Sequence, residues 1–177
     1  MTGKNASQIK IVAISVEPYL AEYAQIKFHS GGRDGAVRIP YNSEFYHCVW
    51  EHMAKRRADH PSKTEGNLKI LLPSRRSPVD GPVKNPLYYN YLSPTAVMLI
   101  ERFLRRQFNY EFHQMMLDNE NRGRPVRQLD LVLSFIRKYR LQSISEDALL
   151  KNFQRYRQML YPRKPRKYRK NNKFKKN

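Results

Sequence analysis

After Gly123 the chain contains no further glycine up to its last residue, Asn177. Apolar residues recur in this stretch at helical spacing, so residues 127–161 predict two helices joined by a short turn. Each helix has one apolar face, formed by Leu129, Val132, Leu133, Ile136 and Tyr139 in the first and by Leu149, Phe153, Tyr156 and Leu160 in the second. The last third of the chain is therefore predicted to contain a pair of amphipathic helices, the second of which leads into a basic tail.

The polar side of the second helix carries long hydrogen-bonding side chains: Lys151, Gln154, Arg155 and Gln158, with Asn152 beside them. Side chains of these types contact phosphates and base edges. Ser143 and Glu146 match a capping box, with Ser145 as the alternative cap, so the helix is predicted to begin near them. The pair resembles a helix-turn-helix, whose second helix enters the major groove of DNA. The alternative is an ordinary helical hairpin with a solvated polar face.

Net charge is the strongest indication of function. The chain has 34 Lys and Arg against 15 Asp and Glu, which gives +19. Residues 162–177 contain nine basic residues and no acid, so +10 remains for residues 1–161. A basic body with a basic tail indicates a polyanionic partner, of which nucleic acid is the commonest. The tail residues predicted to contact it are Arg163, Lys164, Arg166, Lys167, Arg169 and Lys170.

The single cysteine, Cys48, excludes an intramolecular disulfide and a zinc site built from several cysteines of this chain. Such cysteine usage fits a reducing compartment. No run of about 18 apolar residues is present to span a membrane, and the polar residues 1–8 lack a signal-peptide pattern. We therefore expect an intracellular protein, cytoplasmic or associated with the nucleoid, with no membrane partner.

The first 92 residues predict a mixed α/β region with about three short strands. Residues 9–16 and 67–72 are rich in apolar and β-branched side chains, and residues 36–39 form a third, shorter candidate. Proline ends each of these stretches or lies just beyond it, which limits the length of the strands.

Serine and proline residues mark three helix starts in the first two thirds of the chain. Pro18 begins a predicted helix that runs to about Lys27, and Ser43 caps a second helix. Ser93 followed by Pro94 begins a long helix that is predicted to end near residue 117 or 118. Three arginines stand off the apolar stripe of this long helix and either line a basic groove or are solvated charge: Arg102, Arg105 and Arg106.

The irregular loop formed by residues 73–90 places basic residues close to aromatic ones. Basic residues beside exposed aromatic rings bind nucleic-acid strands by charge and stacking, so Arg75 and Arg76 are predicted to contact phosphates. Three tyrosines follow: Tyr88, Tyr89 and Tyr91. They either stack on bases or pack the loop against the body, and we expect packing for at least two.

No catalytic or metal-binding arrangement is predicted. His47 and His52 are five residues apart and so point away from each other on a helix, which does not match a usual metal motif. No pair of carboxylates and no Ser/His/Asp spacing indicates catalysis. Two alternatives remain open, a magnesium ion at Asp118 and Glu120 or a tyrosine nucleophile at Tyr156. The sequence favours a protein without catalytic activity, metal or cofactor.

The sequence thus predicts an α+β protein in three parts: a mixed α/β part over residues 1–92, a helical part with a helix-turn-helix-like pair over residues 93–161, and a basic, disordered tail over residues 162–177. It predicts a nucleic-acid-binding protein, with duplex DNA favoured over RNA. One alternative is an RNA-binding or ribonucleoprotein component. A second is an interaction module for an acidic protein partner.

Overall fold

The structure, a computed structural model, describes residues 11–29, 34–60, 65–76 and 82–162. Within these ranges five helices and a two-stranded antiparallel sheet give a mixed α+β fold with a helical majority. The strands and helices, in chain order, are β1 (Ile11–Ile14), α1 (Pro18–Lys27), α2 (Glu44–His52), β2 (Leu68–Leu71), α3 (Pro94–Asn121), α4 (Gln128–Tyr139) and α5 (Glu146–Leu160). No helix in these ranges is long and apolar enough to cross a membrane.

The sheet pairs β1 with β2, so the predicted count of about three strands is wrong for the part of the chain that is described. Of the predicted strand at residues 36–39, only Val37 joins the sheet, through an isolated parallel bridge to Ile70. The chain leaves the sheet at Pro40, which has no amide hydrogen to continue a ladder and whose carbonyl accepts from Ser43 in a turn. Gly66 is required beside β2, because a Cβ there would lie 2.4 Å from the carbonyl oxygen of Ile14.

One hydrophobic core includes residues from both ends of the described chain. Ile14 of β1 and Leu20 of α1 belong to the same buried cluster as Ile100 of α3, Phe135 of α4 and Phe153 of α5. Helices α1, α2, α4 and α5 all contact α3. Helix α3 is therefore the central element against which the other helices bury their apolar faces. The division of the chain at residue 92 stays a prediction.

Local hydrogen bonds define both ends of α3. The hydroxyl of Ser93 accepts from the amide of Ala96 at 3.1 Å, and Pro94 occupies the first turn, as predicted. The helix continues to Asn121, a few residues beyond its predicted end. In its last turn, the buried side chain of Asn119 donates to the carbonyl of Val126 at 2.9 Å and accepts from the amide of that residue at 3.1 Å. This pair of bonds closes the turn that leads into α4.

Helix α4 ends without a glycine. Arg140 adopts the left-handed conformation at the C-cap, with φ of +50°, and the amide of Leu141 donates to the carbonyl of Ile136 at 3.0 Å. Glycine usually occupies this kind of position because it has no Cβ. The next residue, Leu141, is buried, and its side chain holds the turn against the core.

Helix α5 begins at the alternative cap. The hydroxyl of Ser145 accepts from the amide of Ala148 at 3.2 Å, which satisfies a free donor in the first turn. Ser143 contacts α1 instead: its hydroxyl and its backbone amide both donate to the carboxylate of Glu22, as does the amide of Gln142. The connection between α4 and α5 is thereby attached to α1.

Glu111 of α3 joins three helices through its half-buried carboxylate. It accepts hydrogen bonds from Lys27 of α1, from the hydroxyl of Tyr139 of α4 at 2.5 Å and from Gln107 at 3.3 Å. Burial alone would raise the pKa of Glu111, but the bonds from Lys27 and Tyr139 outweigh it and hold this pKa below its usual value. The carboxylate is therefore charged at neutral pH and fixes α1 and α4 on the same side of α3.

Candidate nucleic-acid interface

Helix α5 buries one face and leaves the opposite face in solvent. Leu149 and Phe153 are 0% and 1% exposed, and both belong to the core. Four of the predicted binding residues are exposed on the other side of the helix: Lys151, Gln154, Arg155 and Gln158. Helical spacing brings these four side chains together on one accessible surface, which we call the α5 outer face.

The charge along the α5 outer face changes sign from one end to the other. Glu146 and Asp147 lie in the first turn, where acids stabilise the helix dipole. Asp147 precedes Lys151 by four residues and so lies on the same side of the helix. Phosphates are repelled by this first turn and attracted from Lys151 onward. The part of the face suited to a polyanion is therefore its middle and carboxy-terminal part.

Asn152 lies apart from the α5 outer face. It is half-buried against α3, with its Oδ1 atom 2.5 Å from Nε2 of His113, and its Nδ2 atom donates to Oδ1 of Asn109 at 3.3 Å. An amide oxygen only accepts, so Nε2 of His113 carries the proton. Burial lowers the pKa of His113, which keeps the ring neutral. Asn152 thus joins α5 to α3 through hydrogen bonds inside the fold.

Gln154 and Gln158 also line a cleft of about 580 Å³ beside the turn between α3 and α4. Arg124 and Arg157 line it too, and each donates to the carboxylate of Glu120 at 3.0 Å. Two guanidinium groups share one carboxylate, so one positive charge is left over. The sequence reasoning missed both arginines, because only the packing of α5 against the end of α3 brings them together.

Arg75 and Arg76 lie near α2, and neither belongs to the α5 outer face. The guanidinium of Arg76 lies 5.8 Å from the ring centre of Trp50 and 3.9 Å from the carboxylate of Glu51. The side chain of Arg75 is exposed, while its carbonyl accepts from the hydroxyl of Tyr46 at 2.6 Å. The structure therefore places the two predicted phosphate contacts on a separate surface from those of α5.

The loop that contains Tyr88 and Tyr89 is fixed to the end of α2 by Lys84. The ammonium group of Lys84 donates to the carbonyls of Trp50 and Met53 at 2.7 and 3.0 Å, where a cation complements the helix dipole. Burial lowers the pKa of Lys84.

Tyr89 packs against the core and Tyr91 stacks on a histidine ring at 3.9 Å, so the expected packing of two tyrosines is confirmed.

A groove of about 710 Å³ runs along α3 between α2 and α5. Cys48 and His52 of α2 line one side, and Tyr156 of α5 lines another part. We call this surface the α3 groove. Its remaining lining residues all belong to α3: Leu99, Arg102, Phe103, Arg105, Arg106, Asn109, Tyr110 and His113. The three arginines therefore line a basic groove, which is the first of the two alternatives that the sequence leaves open.

No group of three or more potential metal ligands is found in the described ranges, so none includes His52. Its Nδ1 atom lies 2.7 Å from the carbonyl oxygen of Cys48, one turn earlier in α2. Burial raises the pKa of the Cys48 thiol, which keeps the thiol protonated at neutral pH. These groups supply polar lining to the α3 groove.

The six tail residues predicted to contact a polyanion lie outside the described residues: Arg163, Lys164, Arg166, Lys167, Arg169 and Lys170. Their contribution stays a prediction from the sequence. The last described residue, Pro162, follows α5 by two positions. The basic segment therefore begins next to the carboxy-terminal end of the α5 outer face.

Comparison with known proteins assigns no role to these surfaces. No family model matches the sequence, and no curated protein and no solved structure matches it. The function is therefore inferred from the exposure, charge and contacts of the chain's own side chains.

Proposed function

We propose that this protein binds nucleic acid, with duplex DNA favoured over RNA, and that it does so without catalysing a reaction. One observation carries the proposal: the α5 outer face is exposed along its length, while Leu149 and Phe153 on the opposite side of the helix are buried in the core. Long donors held on a rigid helix can contact phosphates and base edges together. Such a protein would act in the cytoplasm or on the nucleoid.

In this proposal α4 and α5 act as a helix-turn-helix pair, with α5 in the major groove. An α-helix with its side chains is about 10–12 Å wide, which matches the width of about 12 Å of that groove. The acidic first turn of α5 points to an approach by its middle and carboxy-terminal part. Recognition helices usually contact bases through their amino-terminal residues, so the docking proposed here differs from the common one.

The basic segment at residues 162–177 extends the same contact. Nine positive charges follow directly on the end of α5 that already carries Arg155 and Gln158. A segment of this composition contacts phosphates without reading sequence, and it increases the rate of association with a polyanion. The helix is then the element that holds the protein in register, and the segment supplies most of the nonspecific affinity.

The test compares two double variants that remove the same charge. Lys151→Ala with Arg155→Ala removes two proposed phosphate contacts, whereas Lys55→Ala with Arg56→Ala removes two exposed cations beyond the end of α2. The slope of log affinity against log salt is negative, and each lost phosphate contact makes it shallower by about 0.9. The α5 variant should therefore make it shallower by about 1.8. Binding of a labelled duplex is measured by fluorescence anisotropy over a range of salt concentrations.

Equal losses in the two variants would contradict a dedicated role for α5, and an affinity independent of salt would remove the electrostatic mechanism. Competition separates the remaining candidates. If structured RNA displaces the labelled duplex at a lower concentration than unlabelled duplex DNA does, the protein is an RNA-binding protein instead. A purified protein that binds neither would favour an acidic protein as the partner.

A further inference from the structure

The α3 groove carries positive charge that the described residues do not neutralise. Arg102 and Arg106 are exposed and form no ion pair with any described carboxylate. Arg105, in contrast, pairs with Glu17 and Glu101 at 2.8 and 2.5 Å. None of the described residues that line the groove is acidic. A concave surface with cations and no acids attracts an anionic group.

Aromatic rings lie beside these cations. Tyr110 follows Arg106 by four residues on the same side of α3 and is 61% exposed, so the ring is open to a ligand. Tyr156 stacks on the neutral ring of His113, with the ring centres 3.9 Å apart and an angle of 12° between the planes. The groove thus offers one exposed ring and one fixed ring for stacking, next to guanidinium groups.

We propose that the α3 groove binds a nucleotide whose base is unpaired, with its phosphate at Arg102 and Arg106 and its base on the ring of Tyr110. Guanidinium groups suit the phosphate oxygens, and tyrosine rings stack on bases of any sequence. A base inside a duplex is already stacked on both sides, so only an unpaired one can lie on Tyr110. The volume of the groove falls in the usual range for small-molecule sites, about 300–1,000 Å³.

This inference deepens the proposed function and rests on it. Helical spacing places Arg155 between Lys151 of the α5 outer face and Asn152, which is bonded to His113 of α3. The residue after Arg155 is Tyr156, which lines the groove itself. The cation of Arg155 therefore lies on the part of α5 between the α5 outer face and the α3 groove. A nucleic acid bound on α5 can pass an unpaired end of one strand along this path.

The experiment compares a short labelled single strand with a duplex of the same sequence. Tyr110→Ala removes the exposed ring, and Tyr110→Phe keeps it. Loss of one stacked base should weaken binding of the single strand about 5- to 150-fold in the first variant, with little change in the second and little change for the duplex.

The arginine contacts are tested with a control matched in charge. Arg102→Ala with Arg106→Ala should weaken binding of the single strand more than Arg137→Ala with Lys138→Ala, which removes two exposed cations of α4 outside the groove. Equal losses in the two double variants would show only general attraction and would overturn the phosphate site.

Cys48, the only cysteine in the chain, reports directly on occupancy of the groove. A bound nucleotide should slow the reaction of its thiol with an aromatic disulfide reagent at mildly alkaline pH, and Tyr110→Ala should abolish this protection. Protection by the single strand but not by a nucleoside monophosphate identifies a strand as the source of the nucleotide. Protection by the monophosphate at comparable concentration identifies a free nucleotide.

The proposal for the groove is overturned if Tyr110→Ala binds the single strand as wild type does and neither ligand protects Cys48. The duplex measurement with Lys151→Ala and Arg155→Ala then decides whether the proposed function survives. A specific loss in that variant leaves the proposed function standing without the groove. Absence of any nucleic-acid binding by the wild-type protein removes both proposals together.

Discussion

Replacement of Glu111 by Gln should destabilise the fold without affecting either proposed binding surface. Glu111 accepts bonds from α1 and α4 on the core side of α3, whereas the α3 groove lies on the other side of that helix. Gln has nearly the same shape as Glu and still accepts a hydrogen bond, but it carries no charge. The substitution therefore measures the contribution of charge at this junction and creates no cavity.

The size of the effect follows from the exposure of the two main partners. Hydrogen bonds to charged groups contribute about 1.5–3 kcal/mol and neutral ones about 0.5–1.5 kcal/mol, so the bond from Tyr139 should lose about 1 kcal/mol. The side chain of Lys27 is 34% exposed, against 18% for that of Glu111, and so its ion pair adds at most about 1 kcal/mol. A total of about 1–2 kcal/mol lowers the Tm of a chain of this length by about 2–8 °C.

The pH dependence supplies the sign of the effect. The pKa of Glu111 is lower in the folded protein than its usual value of 4.5, so its stabilisation is complete above about pH 4.5 and is lost as the pH falls through the folded pKa. The difference in unfolding free energy between wild type and Glu111→Gln should therefore shrink in acid. Urea denaturation followed by circular dichroism at several pH values measures it.

Two results would refute this account of Glu111. A difference between the two proteins that does not change with pH would show that charge is not its source. In a double-mutant cycle with Tyr139→Phe, additive losses would show that the carboxylate and the hydroxyl do not interact, whereas coupling is expected for a direct hydrogen bond. Unchanged nucleic-acid binding by the folded Gln variant is the matching control for function.

Three further predictions concern the turn before α5 and the junction of α5 with α3. Arg140→Gly should raise the unfolding free energy by about 0.5–1 kcal/mol because it removes a Cβ from the left-handed region, and Arg140→Ala should give no such gain in the same urea titration. Glu22→Gln should lower the free energy by about 1 kcal/mol, because its bonds to the turn lose their charge, and high salt should reduce the difference. Wild type should lose stability as the pH falls below about 6.5 toward the lowered pKa of His113, and His113→Gln should flatten this part of the profile.

The helices are well predicted from the sequence, because the signals that define them are local. Pro18 suits the first position of its helix because it has no amide hydrogen, and Ser93 accepts from the amide of Ala96 three residues later. Both helices begin as expected. The third strand was not predictable in the same way. Residues 36–39 have strand composition, but pairing depends on a partner more than thirty residues away, and only Val37 finds one. Composition alone does not contain that information.

The two candidate surfaces also differ in how far they can be predicted from local sequence signals. The α5 outer face follows from helical periodicity within a single element, so the sequence predicts its four members. The α3 groove combines Cys48, Arg102 and Tyr156, which lie on three helices and more than fifty residues apart along the chain. The sequence suggests the basic residues of α3 as one wall, but the other walls exist only after the core has formed. Asn152 was placed beside the α5 outer face for the same reason, because its partner on α3 is distant in sequence.

The contacts that fix α5 imply that the two surfaces are held at a constant distance from each other. The left-handed Arg140 and the buried Leu141 set the turn before α5, and the carboxylate of Glu22 attaches that turn to α1. Farther along the helix, Asn152 bonds to His113 of α3. Attachment at two points leaves α5 little freedom to rotate about its axis, so Arg155 and Tyr156 keep their positions relative to Arg106. A ligand that contacts both surfaces must therefore match a spacing that the fold sets in advance. Because the backbone of α5 is already fixed, the conformational entropy lost on binding comes only from the ligand and from the side chains that contact it.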